Sequence, residues 1–154
     1  MSAVQEFLDR VVRPTVDAWL RSPLDERLAK QAANELNNLA ERVFRHWPAG
    51  APDVYGAVTI GEYRRKLVEH AASDFQLVWD IADAHKHVEL HRPSRQVSRD
   101  DQTTPGCLGF GEGGFGEGAF DGPELVVRLD DGSRRALSGV ISNVLAMWER
   151  IVPG

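Results

Sequence analysis

The sequence predicts an α+β fold that is mostly α, a helical bundle with a small antiparallel β insertion, a hairpin, just before the C-terminal helix. Three observations predict it. Apolar residues recur at helical spacing through positions 1–92 and again through 138–152. Helix-opening signals stand at "SPLD", "TIGE" and "SDFQ". Late in the chain, "ELVVRL", "DDG" and "SRRAL" follow one another as strand, turn and strand. No linker divides the chain, so 1–154 is expected as a single helix-dominated domain, with 93–137 holding strands, a glycine-rich loop and the hairpin.

In order, Val4, Phe7, Leu8, Val11, Val12, Trp19 and Leu20 recur as on a helix, which Pro14 should kink or divide into two. In "SPLD", Ser22 can cap, Pro23 suits the first helical position and Asp25 stands where a capping-box acid belongs. Leu24, Leu28, Ala32, Leu36, Leu39, Val43 and Trp47 then share one face until Pro48. "PAGAPDVYGAV" reads as a loop. Thr59 and Glu62 open the next helix, with Leu67, Val68 and Ala71 inward, and "SDFQ" offers a cap, so the following helix either starts there or continues from the last one, running to about Val88, after which Pro93 forbids continuation. "RQVSRDDQT" alternates enough for a modest strand. The Asp131-Gly132 pair supplies the hairpin turn, and Ser138 is expected to cap a last helix lined by Ile141, Val144, Leu145, Trp148 and Val152.

Composition narrows the function classes. A chain 42% hydrophobic and 27% charged can bury a core rather than remain disordered. No apolar run is long enough to span a membrane, and "MSAVQEFLDR" lacks the basic start and apolar core of a secretory leader. The lone Cys107 excludes an internal disulfide framework, which suits a cytoplasmic setting. A net charge of −5 argues against broad DNA binding. Lys86, Arg92, Arg95 and Arg99 nevertheless gather positive charge locally, beside His87 and His91.

"DIADAHKHVELH" concentrates three histidines and two aspartates. On a helical wheel His85 falls among Leu77, Val78, Ile81, Ala82, Ala84 and Val88, where a buried imidazole paired to a carbonyl or carboxylate is expected, the alternative being a half-buried general base held by a carboxylate neighbour. Gln76, Asp80, Asp83 and His87 fall within an arc of roughly 60° on the opposite side. His85 and His87 therefore cannot ligate one metal from a regular helix. Asp80, Asp83 and His87 have divalent-metal ligand chemistry, which Glu35, Glu41, Glu62, Glu69, His46 or His70 could complete for a hydrolase. The same pattern is also that of an ordinary solvent face, and this reading is preferred.

"GFGEGGFGEGAFDG" repeats with a period of five. Its formal GxGxxG match follows no convincing strand and precedes no helix, so no nucleotide cofactor is expected. It reads equally as a long loop with phenylalanine anchors and as a lid or partner-binding loop. Cys107 has no local group to activate it and reads as a spectator.

In "RRKLVEH", Arg65 precedes His70 by five residues and Arg64 by six. This resembles the Arg-x4-6-His motif of HEPN domains, small helical bundles that often act as RNases, usually as dimers. The resemblance implies that Arg65 or Arg64 binds a scissile phosphate and that His70 handles a proton. More broadly, "FQLVWDIADAHKHVEL", "DQT", the "GFGEGGFGEG" tract and "MWERIV" are similar, over most of the chain, to a group of uncharacterised bacterial proteins. That resemblance implies a setting without a mechanism.

The function expected from these readings is a non-enzymatic binding or interaction module. Its ligand, anionic or a protein partner, would meet His87, His91, Arg92 and Arg95 beside the glycine loop. The alternatives are a HEPN-like RNase using Arg65 and His70, compatible with a homodimer, and a metal-dependent hydrolase on Asp80, Asp83 and His87.

Overall fold

The computed structural model describes residues 2–46, 54–108 and 123–152. The glycine tract at 109–122, together with Trp47 and Pro48, lies outside them, so the expectations placed there have no structural counterpart.

The architecture is mostly helical, with a three-stranded antiparallel sheet before the last helix, as the patterning predicts. The first helix neither breaks nor divides at Pro14. α1 (Ala3–Phe7) passes through a π-helical turn (Leu8–Val12) into α2 (Arg13–Leu20), with Pro14 in the first turn of α2. Proline has no amide hydrogen, and its ring would crowd the carbonyl four residues back. A wider turn immediately upstream accommodates both problems while the helix continues.

The start of α3 (Glu26–His46) differs from the expectation. Ser22 and Pro23 form a turn, the indole of Trp19 donates to the Pro23 carbonyl at 3.2 Å, and Asp25 is the cap, accepting from the Leu28 amide at 3.0 Å. Leu24 is consequently exposed rather than inward. α3 is the central element and packs against every other helix. Its small buried residues Ala29, Ala32, Ala33 and Ala40 permit close approach beside Leu36, Leu39 and Val43.

α4 (Ile60–His70) opens as predicted, Thr59 capping the Glu62 amide at 3.1 Å while the Glu62 carboxylate accepts from Val58 at 3.0 Å. α5 (Phe75–His87) ends on Val88, whose backbone at φ 69° and ψ −44° lies near the strained γ-turn region. This reversal sends residues 88–100 back along the helix, where Leu90 donates to Ser98 and Asp100 to Val88.

"RQVSRDDQT" is for the most part not the strand its alternation suggested, and the return segment pairs little. It forms one bridge, Glu89 to Arg99, then a 3-10 turn (Asp100–Gln102), and only then β1 (Thr103–Gly106). β1 pairs with β2 (Glu124–Arg128), which pairs with β3 (Arg134–Ala136), giving the order β1-β2-β3. Gly132 takes the positive φ of 89° that the hairpin turn requires. Pro105 sits in one edge strand, opposite Leu125, and Arg134 and Arg135 occupy the other.

β3 runs directly into α6 (Leu137–Ile151), so Ser138 lies inside the helix and does not cap it. α6 closes the core. The Trp148 indole donates to the Leu36 carbonyl at 2.9 Å and meets Phe75 edge-on at 6.0 Å.

Candidate functional site

Two aspartates of the α5 region are buried, each joined to an arginine from a distant segment, and their surroundings differ. Asp80 has 0% exposure despite its place on the polar arc of the wheel. The returning segment covers it. One carboxylate oxygen accepts from the amides of Gln96 at 2.6 Å and Val97 at 3.2 Å, and the other from the Gln76 side chain at 2.8 Å and from Arg92. Burial pushes the Asp80 carboxyl above its ordinary value, while the hydrogen bonds from Gln96, Gln76 and Val97 and the charge of Arg92 pull it back only in part.

Arg92 is held on three sides. It bonds Asp80, pairs with Asp83 at 2.7 Å and lies over the Trp79 ring at 4.0 Å. Arg64 approaches the same ring at 5.9 Å. Burial lowers the pKa of Arg64, with Asp83 and Glu41 opposing the shift. A second buried group, Gln102, completes the return segment. Its oxygen accepts from the amides of Ser98 and Arg99, and its nitrogen donates to the Arg128 carbonyl at 2.7 Å and to Asp130 at 3.0 Å.

These contacts place the residues singled out in the sequence. Asp80 and Asp83 are drawn together by Arg92, whereas His87 is exposed beyond them. The expectation of a solvent face therefore fails at Asp80. Among the described residues, no three His, Cys, Asp or Glu side chains converge in a geometry that could hold a metal. His85 is not the buried imidazole expected from the wheel. Its side chain is 47% exposed, 3.5 Å from the Asp100 carboxylate that Lys30 also pairs at 2.8 Å, because the helix ends two residues later and the apolar layer ends with it.

Of the expected ligand surface, Arg92 is internally engaged, and Arg95 contacts the Arg92 carbonyl and Asp130. His91 is exposed. On α4, Arg65 and His70 are both exposed and lie about 140° apart around the helix by their spacing. The His70 ring lies 5.3 Å from the Tyr55 ring at a tilt of 36° and stands 3.5 Å from Glu69. Cys107 is a free, exposed thiol.

The second aspartate, Asp74, sits just ahead of α5. Arg135 of β3 grips it with two bonds of 3.0 Å, and Asn143 of α6 donates to it at 2.8 Å. Asp74 borders an open depression of about 500 Å³, lined also by Ala72, Ser73, Ala146 and Arg150. Two alanines supply little bulk, and the space remains. Sequence reading missed this constellation because it joins the start of α5, the hairpin and α6. Its one local trace was the stripe Asn143, Ala146, Arg150, at i, i+3 and i+7 on the polar side of the last helix. Among the described residues Arg150 makes no ion pair, and no helix is long and apolar enough to cross a membrane. Comparison with known proteins brings no match: no family model, no curated protein and no solved structure is similar to this chain.

Proposed function

We propose that this chain is a non-enzymatic binding module for an anionic ligand, taken up in the depression where the start of α5, β3 and α6 meet. One observation carries the reading, the local charge. Arg135 and Arg150 contribute +2 and Asp74 contributes −1, leaving +1 on a concave surface of a chain whose net charge is −5. The Arg150 guanidinium, without an ion-pair partner among the described residues and beside a small-residue floor, is suited to a carboxylate or phosphate, which it can meet with two parallel hydrogen bonds. The surface of His87, His91, Arg92 and Arg95 is less suited, because Asp80 and Asp83 already neutralise Arg92.

The test is calorimetric titration of the purified chain with acetate, citrate and inorganic phosphate at constant ionic strength, compared with Arg150→Ala. Saturable binding of at least one anion, weakened about tenfold or more by the substitution, is the expected result. Binding of equal strength in both proteins would remove the depression from consideration.

A further inference from the structure

The depression is chemically bipolar, and we infer that its ligand is a small zwitterion, an amino carboxylate whose two charges are separated by a short apolar spacer. This rests on the anion-binding reading above and adds a second recognition element to it.

The argument starts from hydrogen-bond capacity. Asn143 donates its amide nitrogen to Asp74 at 2.8 Å, which orients the side chain and leaves its oxygen as an acceptor with no donor among the described residues. Asp74 Oδ1 takes one bond, from Arg135 at 3.0 Å, and a carboxylate oxygen can accept a second. Ser73 adds a hydroxyl on the same rim. One end of the depression therefore offers acceptors on Asp74, on the oriented Asn143 amide and on Ser73, and because Arg135 already offsets the Asp74 charge, an ammonium is met there by hydrogen bonds and not by net charge. The other end offers Arg150, which can only donate.

Ala146 lies between them on α6, with Ala72 also on the lining. Asn143 and Arg150 are seven residues apart, about 10.5 Å along the axis. Helical side chains lean toward the N-terminus, so a head at Arg150 reaches back toward Ala146 and a ligand spans less than that axial distance. An alkyl spacer crosses alanine methyls without losing polar contacts. An anion alone satisfies Arg150 and leaves the acceptors to water. An amine alone does the reverse. Only a ligand with both groups uses the whole lining.

The experiment is calorimetric titration with γ-aminobutyrate and ε-aminocaproate against butyrate, caproate and butylamine. The chain, Arg150→Ala, Asn143→Leu and Ala146→Leu are compared, with circular dichroism confirming that each variant is folded. At least one amino carboxylate is expected to bind about tenfold more tightly than the carboxylate of equal length. Asn143→Leu should erase that margin. Arg150→Ala should weaken both ligand types, and Ala146→Leu, which fills the floor and leaves every polar group in place, should abolish both. Equal binding of amino carboxylates and simple carboxylates overturns the zwitterion inference and leaves the anion reading standing. Failure of every carboxylate and amino carboxylate to bind the folded, unsubstituted chain, together with acetate, citrate and phosphate, overturns both.

Discussion

Asp80 and Asp74 are six residues apart, both are buried, and both are paired with an arginine, yet one is closed and the other borders open space. Around Asp80 four donors and an aromatic ring fill the surroundings, and Arg92 is shared with a second carboxylate. Around Asp74 the open space is floored by Ala72 and Ala146 and rimmed by the exposed Ser73, Asn143 and Arg150, and neither Arg150 nor the Asn143 oxygen has an internal partner among the described residues. A buried carboxylate–guanidinium pair is thus equally at home in a structural lock and at the rim of a binding surface. The difference lies in the unused hydrogen-bonding capacity and the room beside it.

The largest expected effect tests the lock. Asp80→Ala leaves Arg92 without its buried partner and the Gln96 and Val97 amides without an acceptor, and should cost about 3–5 kcal/mol in urea unfolding. Asp74→Ala should cost less, about 1–3 kcal/mol, because its partners border solvent. Equal losses would erase the distinction between the two aspartates.

A pH series sharpens the same contrast. The Asp80 carboxyl titrates above its ordinary value of 3.8 in the folded chain. As pH rises from that value, the unfolded chain releases this proton before the folded chain does, so the Asp80 contribution to stability falls through the window up to the folded pKa and then levels off. Asp80→Asn, which cannot ionise, should lack this component. The stability of the unsubstituted chain relative to Asp80→Asn should therefore decline across that window. A rising difference would mean that the donors around Asp80 outweigh its burial.

Smaller effects follow at the edges of the two regions. Val88→Gly relieves a backbone conformation poorly suited to a β-branched side chain, on the turn that carries the return segment toward Asp80. It should stabilise the chain by about 1 kcal/mol in thermal unfolding, the relieved strain exceeding the added freedom of glycine in the unfolded state. Ala146→Leu should change stability by no more than about 0.5 kcal/mol while removing binding at the depression.

The helices were legible because their periodicity and caps are local. Thr59 with Glu62 opened α4 where expected, and the Asp131-Gly132 turn placed the hairpin. Ends that depend on competition between neighbouring signals were not legible: Asp25 capped α3 in place of Ser22, and β3 fed α6 without a cap. Asp80 was misplaced for a different reason. A wheel represents one helix, whereas the groups that bury this carboxylate arrive from residues 92–97, across a reversal at a valine that no turn signal announced. The depression was invisible for the same reason, since no stretch of sequence contains more than part of it.

The small sheet also bears on how separate copies of the chain meet. A free strand edge is a template on which another extended chain can hydrogen-bond, and colloidal behaviour often depends on how that edge is blunted. Here one edge contains Pro105, which has no amide hydrogen to offer, and the strand is only four residues long. The other edge is three residues long, carries two adjacent arginines and turns at once into a helix. Neither offers a long run of unpaired backbone, so the sheet supplies a poor seed for strand-to-strand aggregation when concentrated protein is handled or heated.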